Sequence, residues 1–251
     1  MNFNNPPAES PQNVFHKTFY SQLINHEIGY NIYLPPDYDT AQKRYPVTYH
    51  LHGWQGNESS DIWVLEKIYR SRLAITVFVN ATSGDNGYLD KELPMESIII
   101  TELVPHIDTL YRTDAARGGR SLSGFSMGGA GAFYYAVKYP GLFHSVTAYA
   151  GTYHHFYHED SGTVGAAPEK ASMLLESMMK EKHYLEKSNI LYFIRESADK
   201  IRGNLHIELH VGADDILLCD NEILYLYLNL WNIPHKYQIF QGAGHELEKI
   251  L

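Results

Sequence analysis

The alternation of apolar and polar residues along the chain predicts a sheet whose strands are joined by helices. Two alternating segments, 16–21 and 27–34, flank a turn-like stretch and predict an antiparallel hairpin near the N-terminus. The segment 74–79 is almost continuously apolar, which is typical of a strand inside a parallel sheet that is covered on both faces. Further strands are predicted at 45–51, 120–125, 143–149, 205–211 and 235–240.

Helical apolar spacing lies between several of these strands. It predicts helices at 61–73, 96–111, 128–139, 169 to about 186, and 219–231. Pro105 predicts a kink in the second of them, because proline removes a helical hydrogen bond. Strands and helices that alternate in this way predict an α/β fold with a mostly parallel, doubly wound sheet and an antiparallel N-terminal hairpin.

Two segments depart from this alternation. Residues 1–13 are rich in Asn, Pro and Ser, and we expect them to form a loosely held arm. Between 152 and 204 the strand–helix rhythm breaks, so we interpret this segment as a lid-like insertion over the active site. No other boundary is visible, and residues 1–251 are therefore predicted to form a single domain.

Composition narrows the class of protein. The net charge is −9 with neutral histidines, which argues against nucleic acid as a main partner. No apolar run reaches the length of a membrane span, and the N-terminus has no basic and apolar leader, so a cytoplasmic location with no membrane partner is expected. Cys219 is the single cysteine, which excludes an internal disulfide and favours a small buried apolar role.

A G-x-S-x-G motif, Gly124-Phe-Ser126-Met-Gly128, lies where a predicted strand turns into a predicted helix. A serine at such a turn adopts a strained backbone, and flanking glycines let the strand and helix approach closely. The same motif could be a Gly-rich turn whose serine caps the helix. We favour a nucleophilic serine, because suitable partners follow it along the chain.

An activated serine needs a histidine as general base and a carboxylate that orients the histidine. Asp214 and Asp215 both directly follow the strand predicted at 205–211, and either could supply the carboxylate. His245 lies in a Gly-flanked loop after the next predicted strand, downstream of the other two members. This chain order of serine, acid and histidine is typical of α/β-hydrolases.

The negative oxygen that develops during acyl transfer needs hydrogen-bond donors. The backbone N–H of Met127, directly after the serine, is one candidate, and the backbone N–H of Trp54 after the third strand is the second. His52, Gln55 and Tyr153 are candidate substrate contacts.

A histidine-rich stretch raises the question of a metal site. It comprises His154, His155, His158, Glu159 and Asp160. These residue types suit zinc, but their spacing matches no zinc site, so a solvated edge of the lid is the preferred interpretation. We expect neither a metal nor another cofactor.

Several motifs together resemble one known family. They are Tyr33-Leu-Pro-Pro-Asp-Tyr-Asp, the segment 45–53 ending in His-Gly, Gly124-Phe-Ser-Met-Gly-Gly, the segment 139–146, and Gly242-x-Gly-His245. This combination resembles the putative-esterase family, the esterase D-like or carbohydrate esterase family 1 group of the α/β-hydrolase fold. The resemblance spans about 14–246 and is weakest in the segment 152–204. In that family the acid stands in a Gly-x-x-Asp pattern, which implies Asp215 and a triad of Ser126, Asp215 and His245.

The resemblance implies a serine carboxylic-ester hydrolase that acts through an acyl-enzyme. Its expected substrates are small-molecule or oligosaccharide esters with short, acetyl-type or feruloyl-type acyl groups. Two alternatives remain at this point: an acyltransferase of the same family, and a binding module that has kept the fold without activity.

Overall fold

The computed structural model describes residues 2–81, 87–154, 162–180 and 189–251. Its centre is an eight-stranded sheet with the order β1-β2-β4-β3-β5-β6-β7-β8. The strands are β1 (Val14–Ser21), β2 (His26–Tyr33), β3 (Val47–Leu51), β4 (Ile75–Val79), β5 (Arg120–Phe125), β6 (Ser145–Tyr149), β7 (His206–Gly212) and β8 (Lys236–Phe240).

Strand pairing confirms the predicted sheet. β1 and β2 form an antiparallel hairpin, and β2 joins β4 in antiparallel orientation. From β4 to β8 every neighbouring pair is parallel. The carboxyl ends of β3, β5, β7 and β8 therefore meet at one edge of the sheet, where open α/β sheets bind ligands.

The described α-helices are α1 (Glu66–Arg70), α2 (Met95–Ser97), α3 (Val104–Leu110), α4 (Met127–Lys138), α5 (Ala171–Lys180), α6 (Ile190–Ile201) and α7 (Leu218–Leu230). Among them, α6 has no predicted counterpart, and two of the predicted helices differ in form from the observed ones. The helix predicted at 61–73 is reduced to α1, which begins after a series of turns. A π-helical segment, Ile98–Leu103, joins α2 directly to α3, and Pro105 is the second residue of α3. None of the described helices is long and apolar enough to cross a membrane.

Successive residues of the central strands face two separate hydrophobic cores. Val77 belongs to the larger core, which also contains most of α4, whereas its neighbour Phe78 belongs to the smaller one, together with Tyr69 of α1. Cys219 is fully buried, which confirms its expected role as a small apolar residue. The sheet is thus packed on both faces.

The segment 152–204 contains an ordinary part of the fold. Helix α6 connects β6 to the parallel strand β7 and packs against α4, so it is the crossover helix of this β–α–β unit. The predicted break in the strand–helix rhythm is therefore wrong for α6. Farther upstream, the N–H of Gly165 donates to the carbonyl oxygen of Ile216 at 2.7 Å, next to the predicted acid.

The N-terminal arm is held more firmly than its composition predicts. The N–H of Gly29 on β2 donates to the carbonyl oxygen of Phe3. Asn5 donates from its backbone and its side chain to the carboxylate of Glu58, which is completely buried. The prediction of a loosely held arm is corrected, because a buried carboxylate needs these donors.

Candidate active site

The carboxyl edge of the sheet brings together three side chains that are far apart in sequence. His245 Nε2 lies 2.9 Å from Ser126 Oγ, and His245 Nδ1 lies 2.9 Å from Asp215 Oδ2. A carboxylate only accepts, so Nδ1 carries the proton, and Nε2 is left to accept from the serine hydroxyl. This arrangement can withdraw the proton of Ser126 during nucleophilic attack.

Ser126 occupies a sharp turn between β5 and α4. Its φ of 56° and ψ of −118° lie in a region that non-glycine residues rarely adopt. A Cβ on Gly124 would overlap the carbonyl oxygen of Gly128, and a Cβ on Gly128 would overlap that of Leu51. Both flanking glycines are therefore required for the close approach of strand and helix. Met127 is the first residue of α4, a position whose N–H has no partner within a helix.

The structure distinguishes the two candidate acids. The side chain of Asp215 is fully buried, and its second oxygen, Oδ1, accepts the N–H of Leu217 at 2.8 Å. Asp214 is exposed, and its backbone N–H donates to the carbonyl oxygen of Ala243 in the histidine loop. Asp215 is thus the carboxylate that contacts His245, as the family resemblance implies.

Phe125 is a contact of the site that the sequence reasoning missed. Its ring stacks on the imidazole of His245, with a centroid distance of 4.8 Å. The side chain of His245 remains 31% exposed, so the stacked Phe125 ring covers it only in part. The signal for this contact in the sequence was an aromatic residue directly before the candidate serine.

A second serine–histidine–aspartate chain lies beside the first one. His50 Nδ1 is 2.9 Å from Ser123 Oγ, and His50 Nε2 is 2.9 Å from Asp61 Oδ2. Ser123 lies within β5, away from a helix N-terminus, and His50 is buried in the sheet. This second chain connects β3, β5 and the loop before α1, and it lacks the turn that exposes Ser126.

The loop after β3 packs directly on the nucleophile turn. A Cβ on Gly53 would lie 3.4 Å from the Cβ of Ser126 and 3.3 Å from the ring of Phe125. Trp54 follows with 63% of its surface exposed, and Gln55 is also exposed, with a φ of 60°. The backbone of Gly53, directly before Trp54, therefore packs against the nucleophile turn, whereas the roles of Trp54 and Gln55 stay predictions.

His52 and Tyr153 lie in the interior instead of the cleft. His52 is 1% exposed, and both of its ring nitrogens make hydrogen bonds within the chain. Burial lowers the pKa of its imidazole. Tyr153 is fully buried and packs edge-on against Phe133. These positions correct the interpretation of both side chains as direct substrate contacts, because neither is accessible.

The histidine-rich stretch is only partly described. His154 Nδ1 lies 2.7 Å from Asp220 Oδ2, and the same carboxylate oxygen accepts the backbone N–H of His154. Asp220 is completely buried at the start of α7. His155, His158, Glu159 and Asp160 lie outside the described residues, so the metal question stays a prediction for them.

Comparison with protein-family models identifies a match over residues 21–222, to the family described as "Putative esterase". Esterase Rv1288 of Mycobacterium tuberculosis is 31% identical over 153 residues, which cover 57% of this chain and 33% of that protein. The endo-1,4-beta-xylanase/feruloyl esterase of Xylanibacter ruminicola is 28% identical over 148 residues, which cover 52% of this chain and 20% of that protein. The matched region thus spans a third or less of these relatives.

Solved structures are similar over almost the whole chain. A ferulic acid esterase superposes with a TM-score of 0.72 at 23% identity, covering 94% of this chain and 92% of its own. FphF, a fluorophosphonate-binding serine hydrolase of Staphylococcus aureus, superposes with a TM-score of 0.74 at 17% identity, with the same coverage of 94% and 92%. These similarities confirm the predicted α/β-hydrolase fold.

Proposed function

The chain belongs to the Putative esterase family, and from this premise we propose that it is a serine carboxylic-ester hydrolase that works through an acyl-enzyme. The observation that carries the proposal is the hydrogen-bonded chain from Ser126 through His245 to Asp215, with 2.9 Å at both steps. Its serine stands on a strained turn at a helix N-terminus, where developing negative charge is favoured.

In the first half-reaction, Ser126 Oγ attacks the ester carbonyl carbon while His245 Nε2 accepts the hydroxyl proton. Asp215 holds the ring through Nδ1 and stabilises the imidazolium that forms. The oxyanion accepts hydrogen bonds from the backbone N–H groups of Trp54 and Met127. When the tetrahedral intermediate collapses, the bond to the alcohol oxygen breaks, and His245 delivers its proton to that oxygen.

The second half-reaction releases the acid. His245 accepts a proton from a water molecule, whose oxygen attacks the acyl carbon of the Ser126 ester. Collapse of the second tetrahedral intermediate breaks the bond to Ser126 Oγ, which regains its proton from His245. His245 therefore accepts and then delivers the proton in each half-reaction.

The surroundings of the serine support esters with an aromatic or short acyl group. Trp54 follows β3 and Ile216 follows β7, so these two exposed side chains flank Ser126 on opposite sides in strand order. Exposed apolar side chains at a cleft favour apolar or ring-containing ligands. The feruloyl esterase names of the Xylanibacter ruminicola relative and of the similar solved structure agree with this substrate class. The proposed substrate class includes esters of small molecules and esters of oligosaccharides.

The test compares wild type with Ser126→Ala and with Ser123→Ala, a serine three residues upstream on β5. Substrates are p-nitrophenyl esters from acetate to octanoate and methyl ferulate, and a fluorophosphonate probe reports the nucleophile by peptide mass spectrometry. We expect Ser126→Ala to lower turnover by up to about a millionfold and to lose labelling. Ser123→Ala should keep both.

Three results would contradict the proposal. Equal activity of wild type and Ser126→Ala would remove the serine from the mechanism, and labelling at Ser123 would transfer its role to the second chain. A wild-type protein that neither turns over any ester nor binds the probe would be a binding module. Product analysis in the presence of a sugar alcohol separates the two reactions, because hydrolysis releases the free acid and acyl transfer forms a new ester.

A further inference from the structure

The peptide between Gly53 and Trp54 is held firmly from its carbonyl side. The carbonyl oxygen of Gly53 accepts a hydrogen bond from His52 Nδ1 at 2.8 Å and a second one from the N–H of Gly56 at 3.0 Å. A side chain on Gly56 would crowd both the Gly53 oxygen and the His52 ring. Two donors therefore converge on one carbonyl in the loop that packs on Ser126.

The orientation of this carbonyl determines the direction of the next N–H. A trans peptide is planar, so its C=O and its N–H point in opposite directions. Cis peptides are absent from the described residues, and the Gly53–Trp54 peptide is trans. Holding the Gly53 oxygen against His52 thus holds the Trp54 N–H on the opposite side of the peptide.

The His52 ring is itself fixed in one tautomer. Its Nε2 lies 3.2 Å from the backbone N–H of Ala81, which can only donate. Its Nδ1 faces a carbonyl oxygen, which can only accept, so the single ring proton is on Nδ1. The backbone oxygen of His52 accepts the hydroxyl of Tyr88 at 3.0 Å, and the residue is buried. The imidazole is therefore held in place and donates its single N–H to the carbonyl oxygen of Gly53.

We propose that His52 is a positioning residue for acyl transfer, and that its Nδ1–H orients the Gly53–Trp54 peptide so that the Trp54 N–H faces the oxyanion. The inference rests on the proposed function, because it assigns a task to that site. It gives His52 a role through the peptide it holds, without contact between its side chain and the substrate. The chemistry itself stays with Ser126 and His245.

Two neutral substitutions separate the two hydrogen bonds of the ring. In His52→Asn the amide nitrogen reaches the position of Nδ1, so the donor to Gly53 is kept and the acceptor for Ala81 is lost. In His52→Gln the amide oxygen reaches the position of Nε2, so the acceptor for Ala81 is kept and the donor to Gly53 is lost. Each variant gives up one hydrogen bond, and urea unfolding midpoints measure the stability of both.

We measure kcat and KM with p-nitrophenyl acetate, and inhibition by phenylboronic acid, which forms a tetrahedral adduct at the serine. His52→Gln should lower kcat by about 100-fold to 1000-fold, as loss of one oxyanion donor does, and weaken boronate inhibition in parallel. His52→Asn should stay within about tenfold of wild type, and KM should change little in either variant. A merely structural histidine would give two variants with equal kcat.

The outcomes also separate this inference from the proposed function. If wild type is active but both variants have equal kcat, the positioning role is overturned and the esterase mechanism stands. If wild type is inactive and unlabelled by a fluorophosphonate, the proposed function fails, and this inference fails with it. Should neither variant fold, nitrogen-15 NMR of the wild-type imidazoles decides: a proton on Nε2 of His52 would overturn the inference, and one on Nδ1 supports it.

Discussion

The ring of Phe125 stacks on the imidazole of His245, with centroids 4.8 Å apart and planes inclined by 29°. The face of an aromatic ring attracts a cation, and the proposed mechanism makes His245 cationic in both transition states. The same contact restricts rotation of the imidazole between Asp215 and Ser126. Phe125 thus acts on the histidine in two ways.

We therefore expect Phe125→Leu to lower kcat by about threefold to tenfold, the equivalent of a typical aromatic pair. KM should change little, because the ring acts on the histidine. Steady-state kinetics with p-nitrophenyl acetate measures both quantities. Phe15→Leu, on an exposed face of β1, is the control and should leave kcat unchanged. Unchanged kcat in Phe125→Leu would show that the stacking has no catalytic consequence.

The two neighbouring aspartates provide a matched pair. Asp215→Asn should reduce kcat by roughly 10,000-fold, because an amide in place of the carboxylate favours the wrong tautomer of His245. Asp214→Asn should retain activity within a few-fold, since Asp214 is exposed and contributes only its backbone N–H to the histidine loop. Similar losses in both variants would contradict the assignment of Asp215.

Acid should destabilise the protein through His52. Burial lowers the pKa of His52 in the folded protein below its usual value of 6.5, so the neutral imidazole is favoured by folding. Its contribution to stability is present above pH 6.5 and is lost as the pH falls toward the lower folded-state pKa. His52→Asn cannot titrate, and its urea midpoint should fall less between pH 8 and pH 5 than that of wild type.

Comparing the urea midpoints of one protein at the two pH values removes any effect of the substitution that does not depend on pH. His106 also has a pKa lowered by burial, but it is present in both proteins and cancels. Equal losses of midpoint in wild type and His52→Asn would mean that other groups determine the acid sensitivity.

The N-terminal arm should contribute measurably to stability. Asn5→Ala removes the side-chain donor to the buried carboxylate of Glu58. We expect the free energy of unfolding to fall by about 1–3 kcal/mol, the usual cost of an unsatisfied buried polar group. Urea denaturation measures this change. Glu9→Ala, in an exposed part of the same arm, should have no effect, and equal stability of both variants would argue against a structural role of Asn5.

The sequence was sufficient to predict which loops carry the candidate catalytic residues. It was insufficient to predict which side chains in those loops are buried. Ser126 and His245 could be proposed because a turn motif and Gly-flanked loops are local features. Local features also misassigned His52, since a histidine after a strand looks the same whether it faces the cleft or the interior. Asp214 and Asp215 were equivalent until burial, or resemblance to a family, distinguished them.

Two further differences between prediction and structure have different origins. The contact between Asn5 and Glu58 joins residues 53 positions apart, and no local pattern in an Asn- and Pro-rich arm predicts such a contact. Helix α6 was overlooked because it follows a polar stretch, although the spacing of Ile190, Ile194 and Ile201 indicated one apolar face. Long-range packing decided the first case, whereas the second had a local signal in the apolar spacing.

The loops that carry Asp215 and His245 are joined backbone to backbone. The N–H of Asp214 donates to the carbonyl oxygen of Ala243, and the N–H of Ala213 donates to that of Phe240. Gly212 allows the backbones of the two loops to come into contact, because any Cβ there would overlap the carbonyl oxygen of Ala243. Backbone hydrogen bonds therefore couple the acid to the base, so a displacement of one loop also displaces the other.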